Sequence, residues 1–225
     1  NIKVYKIASG QLTEPYFLRK VAEKMKPIIL STGMANLSEV FNAINTIKKI
    51  NSDITVLQCT TNYPSLISDA NINAMLSIKN SCKVKVGYSD HTMGINAAVL
   101  SVVAGARIVE KHFTLDKNFS DFRDHQLSAD PKEMCLMVKK IREVEKIFGK
   151  EEKKIQPCEK GMNIVARRSI AVACDLMVGT KLSSSDLTWV RPGKGFSPGE
   201  EKKIIGKKTC RNLKMGEILR KGDFK

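Results

Sequence analysis

Two short stretches constrain this chain most: Gly87-Tyr88-Ser89-Asp90-His91-Thr92 and Val109-Glu110-Lys111-His112-Phe113-Thr114. In each, apolar or small residues give way abruptly to polar side chains able to ligate a metal. A buried parallel strand reads this way when its C-terminal end opens into an active site. The apolar run 97–105 between them is long enough for a helix packed on a sheet. Strand, helix, strand is a βαβ unit, and here it presents one imidazole at each strand end, on one rim. Two of the chain's three histidines sit at these matched positions. Two nitrogen ligands with open coordination positions suit a metal that must also meet substrate.

The same alternation runs through the first 149 residues. Short apolar runs at 5–9, 27–32, 54–60, 84–89 and 108–113 predict strands. Helical patterns at 16–25, 36–50, 71–80, 95–104 and 131–148 lie between or after them. Asn36 followed by Glu39 is a capping-box start for the second helix, and Gly149 is a stop for the last. Strict alternation defines a parallel α/β protein. Ser9, Ser31, Thr60 with Thr61, Ser89 with His91, and His112 place functional side chains at every strand end. A doubly wound sheet concentrates its site at one switch point, whereas a barrel recruits every strand end. The expected fold is therefore a partial (β/α)8 TIM barrel, its last five strands. The chain opens at Asn1 and runs at once into strand-like sequence, so three upstream strands are expected.

Residues 150–161 are charged, poor in large apolar residues and expected to be a linker. Residues 162–225 change style, with short β-like pieces at 169–173 and 188–191 between turn-rich segments, and predict a small β-rich domain. The 38 Lys and Arg against 23 Asp and Glu give a net charge of +15. The lysines mix with glutamates and aromatics are not interleaved, which argues against nucleic acid; a positive field still recruits small anions. Nothing approaches the ~18 apolar residues of a membrane helix. Six scattered cysteines without CxxC spacing point to reduced thiols and a cytoplasmic protein rather than a zinc site.

Several motifs in one order resemble the sialic acid synthase family, which makes N-acetylneuraminic, legionaminic and pseudaminic acids. They are Lys6-Ile7-Ala8-Ser9-Gly10, Leu30-Ser31-Thr32-Gly33-Met34-Ala35, Cys59-Thr60-Thr61-Asn62-Tyr63-Pro64, the two histidine stretches, and, downstream, Arg168-Ser169 and Arg191-Pro192-Gly193. The last two resemble the antifreeze-like (SAF) domain that closes these enzymes.

The resemblance implies a carbon–carbon bond-forming transferase that condenses phosphoenolpyruvate with the open-chain aldehyde of an N-acetylated amino sugar, N-acetylmannosamine in the sialic acid case. It implies a divalent metal on His91 and His112, manganese by family habit, with magnesium or cobalt as alternatives. Lys6, Ser9, Ser31 and Ser89 match residues that hold phosphoenolpyruvate, and Thr61 stands where the family often has Ser or Asn. Tyr63 and Asp124 match residues facing the sugar. Asp124 lies in Phe122-Arg123-Asp124-His125, where the family usually reads Gly-Pro-Asp-His. Arg191 matches an arginine inserted into the partner's site of a domain-swapped homodimer. At position 11 the family's glutamate is replaced by Gln11, which cannot transfer a proton as a carboxylate does. Two other expectations stand beside this one: a synthase for legionaminic or another nonulosonic acid using a 2,4-diacetamido sugar, and an inactive binding or scaffold fragment.

Overall fold

A computed structural model describes residues 2–121 and 123–225 and divides the chain into two compact units, Asn1–Gly149 and Lys150–Lys225. In the first unit, β1 (Tyr5–Ile7), α1 (Pro15–Ala22), β2 (Ile28–Ser31), α2 (Leu37–Lys48), β3 (Ile54–Cys59), α3 (Ala74–Cys82), β4 (Lys85–Asp90), α4 (Asn96–Val103) and β5 (Val109–Lys111) alternate. The short α5 (Arg123–Leu127) and the long α6 (Pro131–Phe148) follow. The strands form one sheet in the order β1-β2-β3-β4-β5, every neighbour parallel. This is a wall of a (β/α) barrel, five staves wide.

Side-chain alternation along the strands separates two faces. Ile7, Leu30, Val56, Val86 and Tyr88 point outward and form one buried cluster with Leu18, Ile44, Ile47, Met75 and Ile78 of the helices. The opposite parity carries Lys6, Ser31, Leu57, Cys59, Gly87, Ser89 and Glu110 on the inner face. The inner face curves enough for side chains of the two edge strands to meet across it: Lys6 Nζ of β1 lies 3.1 Å from Glu110 Oε2 of β5. Gly87 marks a tight place, since a Cβ there would collide with the Ile108 carbonyl and fall 2.5 Å from Leu57 Cδ2.

Helix ends follow the local sequence. Asn36 Oδ1 accepts from Glu39 N at 3.0 Å while Asn36 N donates to Glu39 Oε2 at 2.8 Å, the expected capping box. Asp130 and Glu133 repeat it at α6 behind Pro131, and Gly149 with φ 62° ends that helix. Each such cap contributes about 1 kcal/mol. Several boundaries differ from expectation by two or three residues. The first helix stops at Ala22 because Met25 turns left-handed (φ 53°), and α3 ends where Lys83 does the same (φ 51°). β5 stops at Lys111, where its ladder with β4 ends, and Phe113 bridges to Ala129 instead. Among the described residues no helix is long and apolar enough to cross a membrane.

The second unit holds a 3-10 turn at Pro157–Glu159, the short α7 (Met162–Ala166), and an antiparallel pair, β6 (Ser169–Val172) with β7 (Leu187–Val190). Ile170, Val172, Leu182, Ile204, Leu213 and Leu219 fill its small core. Ser169 joins its two recognisable motifs: the hydroxyl donates to the Pro192 carbonyl at 2.8 Å and accepts from Lys194 N and Gly195 N at 2.8 and 2.9 Å. The loop that follows Arg191 is thereby pinned to β6. All six cysteines are free.

Candidate active site

The C-terminal ends of the five strands converge on one group of side chains. His91 and His112 have ring centroids 5.2 Å apart in an edge-on arrangement, and Tyr63 covers both at 4.3 and 5.5 Å. His91 Nδ1 lies 2.8 Å from the Thr60 carbonyl, which can only accept, so this nitrogen carries the proton. The lone pair of the neutral ring is then on Nε2, the form a ligating histidine needs.

The two imidazoles titrate in opposite directions. Burial favours the neutral form of His91, but the Cys59 sulfur at 3.8 Å, the Thr60 carbonyl and Asp90 outweigh it and hold its pKa above the ordinary value. Burial and the neighbouring His91 together lower that of His112, against Asp124 and Glu110, which raise it. Burial resists ionisation of the Cys59 thiol, yet hydrogen bonds from His91, Ser9 and Ser89 bring its pKa down. Tyr63 is pushed up by burial and by Cys59, Asp124 and Glu110.

Beside the imidazoles lies a group of hydroxyls and one cation. Ser9 Oγ accepts from Gly33 N at 2.9 Å and donates toward Cys59 Sγ at 3.7 Å. Gly33 leaves open space there, since a Cβ would collide with Thr61 Oγ1 and approach Ser9 Oγ to 2.9 Å. Ser31 is 2% exposed, and its Oγ is the one buried side-chain polar atom among the described residues with no hydrogen-bond partner. A buried orphan hydroxyl costs free energy unless a ligand or water satisfies it. Lys6 pairs with Glu110, and Ser89 Oγ donates to the other oxygen of the same carboxylate at 2.8 Å.

The structure thus brings together Lys6, Ser9, Ser31, Thr61, Tyr63, Ser89, His91 and His112, with Asp124 close enough to influence Tyr63 and His112. Gln11 lies in the 3-10 turn that follows β1, half-buried. Asp124 lies in the first turn of the short α5 rather than in a loop, and Phe122 just before that helix lies outside the described residues, as does Asn1. Arg191 stands exposed after β7 in the second unit. The third histidine, His125, has its Nδ1 2.9 Å from Thr114 Oγ1.

Three residues went unassigned in the sequence. Glu110 is two positions before His112 and so shares its face of β5, a signal that strand alternation carries. Asp90 and Lys111 form a fully buried pair at 2.9 Å behind the two histidines. No local pattern marks that pairing.

The donor set fits a divalent metal in one limited sense. Two imidazoles on one rim, one with its tautomer set by a backbone carbonyl, form half a coordination sphere and leave the rest open. No group of three or more His, Cys, Asp or Glu is assembled for a metal among the described residues. Substrate oxygens or waters would have to complete the shell.

A parallel wall whose strand ends gather imidazoles, hydroxyls and a cation at one rim has the architecture of a (β/α) barrel. The chain belongs to the NeuB family: that family's model matches residues 1–153, and the SAF domain model matches residues 167–225. It is 42% identical to an N,N'-diacetyllegionaminic acid synthase of Campylobacter jejuni over 97% of this chain and 66% of that protein. It is 40% identical to the enzyme of that name from Legionella pneumophila, over 97% of this chain and 62% of the relative. An N-acetylneuraminic acid (sialic acid) synthetase of Leptospira borgpetersenii superposes with a TM-score of 0.68 at 34% identity, over 72% of this chain and 56% of that one. The chain spans somewhat under two thirds of the length of the curated relatives it matches.

Proposed function

We propose that the protein is a nonulosonic acid synthase, joining phosphoenolpyruvate to the aldehyde of an open-chain N-acetylated amino sugar and releasing phosphate. C3 of phosphoenolpyruvate attacks the aldehyde carbon, water adds at C2, and phosphate leaves with cleavage of its bond to C2. Lys6 and the hydroxyls of Ser9, Ser31, Thr61 and Ser89 hold the phosphate and carboxylate of phosphoenolpyruvate. Tyr63 and Asp124 border the sugar. His91 and His112 would hold a divalent ion, manganese in the first instance, which supplies Lewis-acid polarisation of the aldehyde oxygen. Gln11 leaves the reacting aldehyde without the carboxylate usual at that position, so proton transfer falls to other groups or to water.

The observation that carries this reading is the orphan Ser31 hydroxyl on the same inner face as Lys6 and the histidine pair. Relatives 42% and 40% identical are named for legionaminic acid, against 34% for one named for sialic acid, which supports a 2,4-diacetamido sugar over N-acetylmannosamine. A homodimer in which Arg191 reaches the partner's site belongs to the same proposal, supported by the pinned loop that displays it. The test is phosphate release from phosphoenolpyruvate with manganese and a panel of N-acyl sugars. Release unaffected by both His91→Ala and His112→Ala would remove the metal assignment, and no release with any sugar would remove the synthase reading.

A further inference from the structure

A pocket for phosphoenolpyruvate needs a free cation and free hydroxyl donors, yet neither Lys6 nor Ser89 is free. Lys6 Nζ lies 3.1 Å from Glu110 Oε2, and Ser89 Oγ donates to Glu110 Oε1 at 2.8 Å. One carboxylate spans both groups, an oxygen on each, making the two contacts a substrate phosphate or carboxylate would make. The register explains the fit. Ser89 and Glu110 are lateral partners in the β4–β5 ladder, on the inner face, and Lys6 reaches across from β1. The ion pair is 34% and 39% exposed, so water screens it and it opens readily.

We infer that Glu110 is a resident occupant of the anion pocket. With the pocket empty it neutralises Lys6 and keeps the Ser89 hydroxyl turned inward; it leaves both when the anionic substrate enters. The inference rests on the phosphoenolpyruvate reading of the site. No covalent bond changes and no proton moves in the exchange, since one anion replaces another on the same donors. Ser31, buried and unpartnered on the same face, is a donor that the Glu110 carboxylate does not reach. An incoming anion that engages it gains a contact that Glu110 lacks. The consequence is a tax on affinity: the pocket binds only in the fraction of molecules whose Glu110 has moved away.

Calorimetric titration of the protein with phosphoenolpyruvate, and separately with inorganic phosphate, tests this, with and without manganese and without sugar. Wild type is compared with Glu110→Gln, Glu110→Ala and Lys6→Ala, each checked for native melting. Both Glu110 substitutions are expected to tighten phosphoenolpyruvate binding about three- to tenfold, and Lys6→Ala to weaken it. Tightening for inorganic phosphate as well assigns the Lys6–Ser89 position to the phosphate end; tightening for phosphoenolpyruvate alone assigns it to the carboxylate. Equal or weaker binding by both Glu110 variants, with Lys6→Ala still weakened, overturns the resident-occupant idea and leaves the anion pocket standing. Absence of binding by every protein in both conditions removes the pocket and this inference together.

Discussion

Lys111 Nζ sits 2.9 Å from Asp90 Oδ2, with both side chains fully buried, and the two residues are lateral partners in the β4–β5 ladder. Further hydrogen bonds hold the pair: Lys111 also donates to the Thr92 carbonyl at 2.8 Å, and Asp90 Oδ1 accepts from Thr92 N and Oγ1 at 2.9 and 2.8 Å. The next residue on each strand is a histidine. Alternation sends the ion pair outward and both imidazoles inward, so the buried pair sets the spacing of the histidines.

Replacing one partner strands the other charge in the core. Lys111→Met is expected to lower unfolding free energy by about 3–5 kcal/mol in urea denaturation. Asp90→Leu combined with Lys111→Met, which removes both charges, is expected to recover most of it.

Ser31→Ala removes a hydroxyl that has no hydrogen-bond partner within the described residues. Stability is expected to stay within about 0.5 kcal/mol of wild type or to rise. Affinity for phosphoenolpyruvate should fall about two- to tenfold, the worth of one hydrogen bond. A fall in stability without a fall in affinity would assign the hydroxyl to packing.

Gly33→Ala places a methyl group against Thr61 and Ser9. Overpacking of this kind costs about 1–3 kcal/mol. The expected signature is a loss of phosphoenolpyruvate binding larger than that of Ser31→Ala, read by the same titration, because the methyl group occupies the space between two hydroxyl donors.

A metal on His91 would need the neutral ring, and Cys59, the Thr60 carbonyl and Asp90 hold the pKa of that ring above the ordinary imidazole value. Protons would therefore compete with the metal at higher pH than for an ordinary imidazole, and manganese affinity should fall as pH drops through the raised pKa. Cys59→Ala removes one of the groups raising that pKa and should move the midpoint to lower pH. Manganese paramagnetic resonance from roughly pH 5.5 to 8.5 reads both midpoints.

Much of this architecture was legible locally. The apolar runs and helical spacings located all five strands and the helices joining them, because parallel strands buried on both faces and helices on a sheet have distinct periods. The capping boxes at Asn36 and, after the fact, Asp130 show why boundaries with side-chain caps are easy. Boundaries set by left-handed residues such as Met25 and Lys83 are not, since neither residue type announces that conformation. The short α5 and α7 were missed for a related reason: helices of five residues have too few turns to show a period.

By itself the amino-acid sequence determined the order of the five parallel strands and the helices joining them, the two-unit division near residue 150, and which polar side chains stand at the strand ends, since these depend on neighbours along the chain. Only the tertiary structure decided which of those side chains meet. The curvature that brings Lys6 of the first strand onto Glu110 of the fifth, and the pairing of Asp90 with Lys111, join residues 104 and 21 positions apart by subtraction of their numbers. Such contacts follow from strand register and sheet twist, which accumulate over the whole wall and leave no mark in any local window.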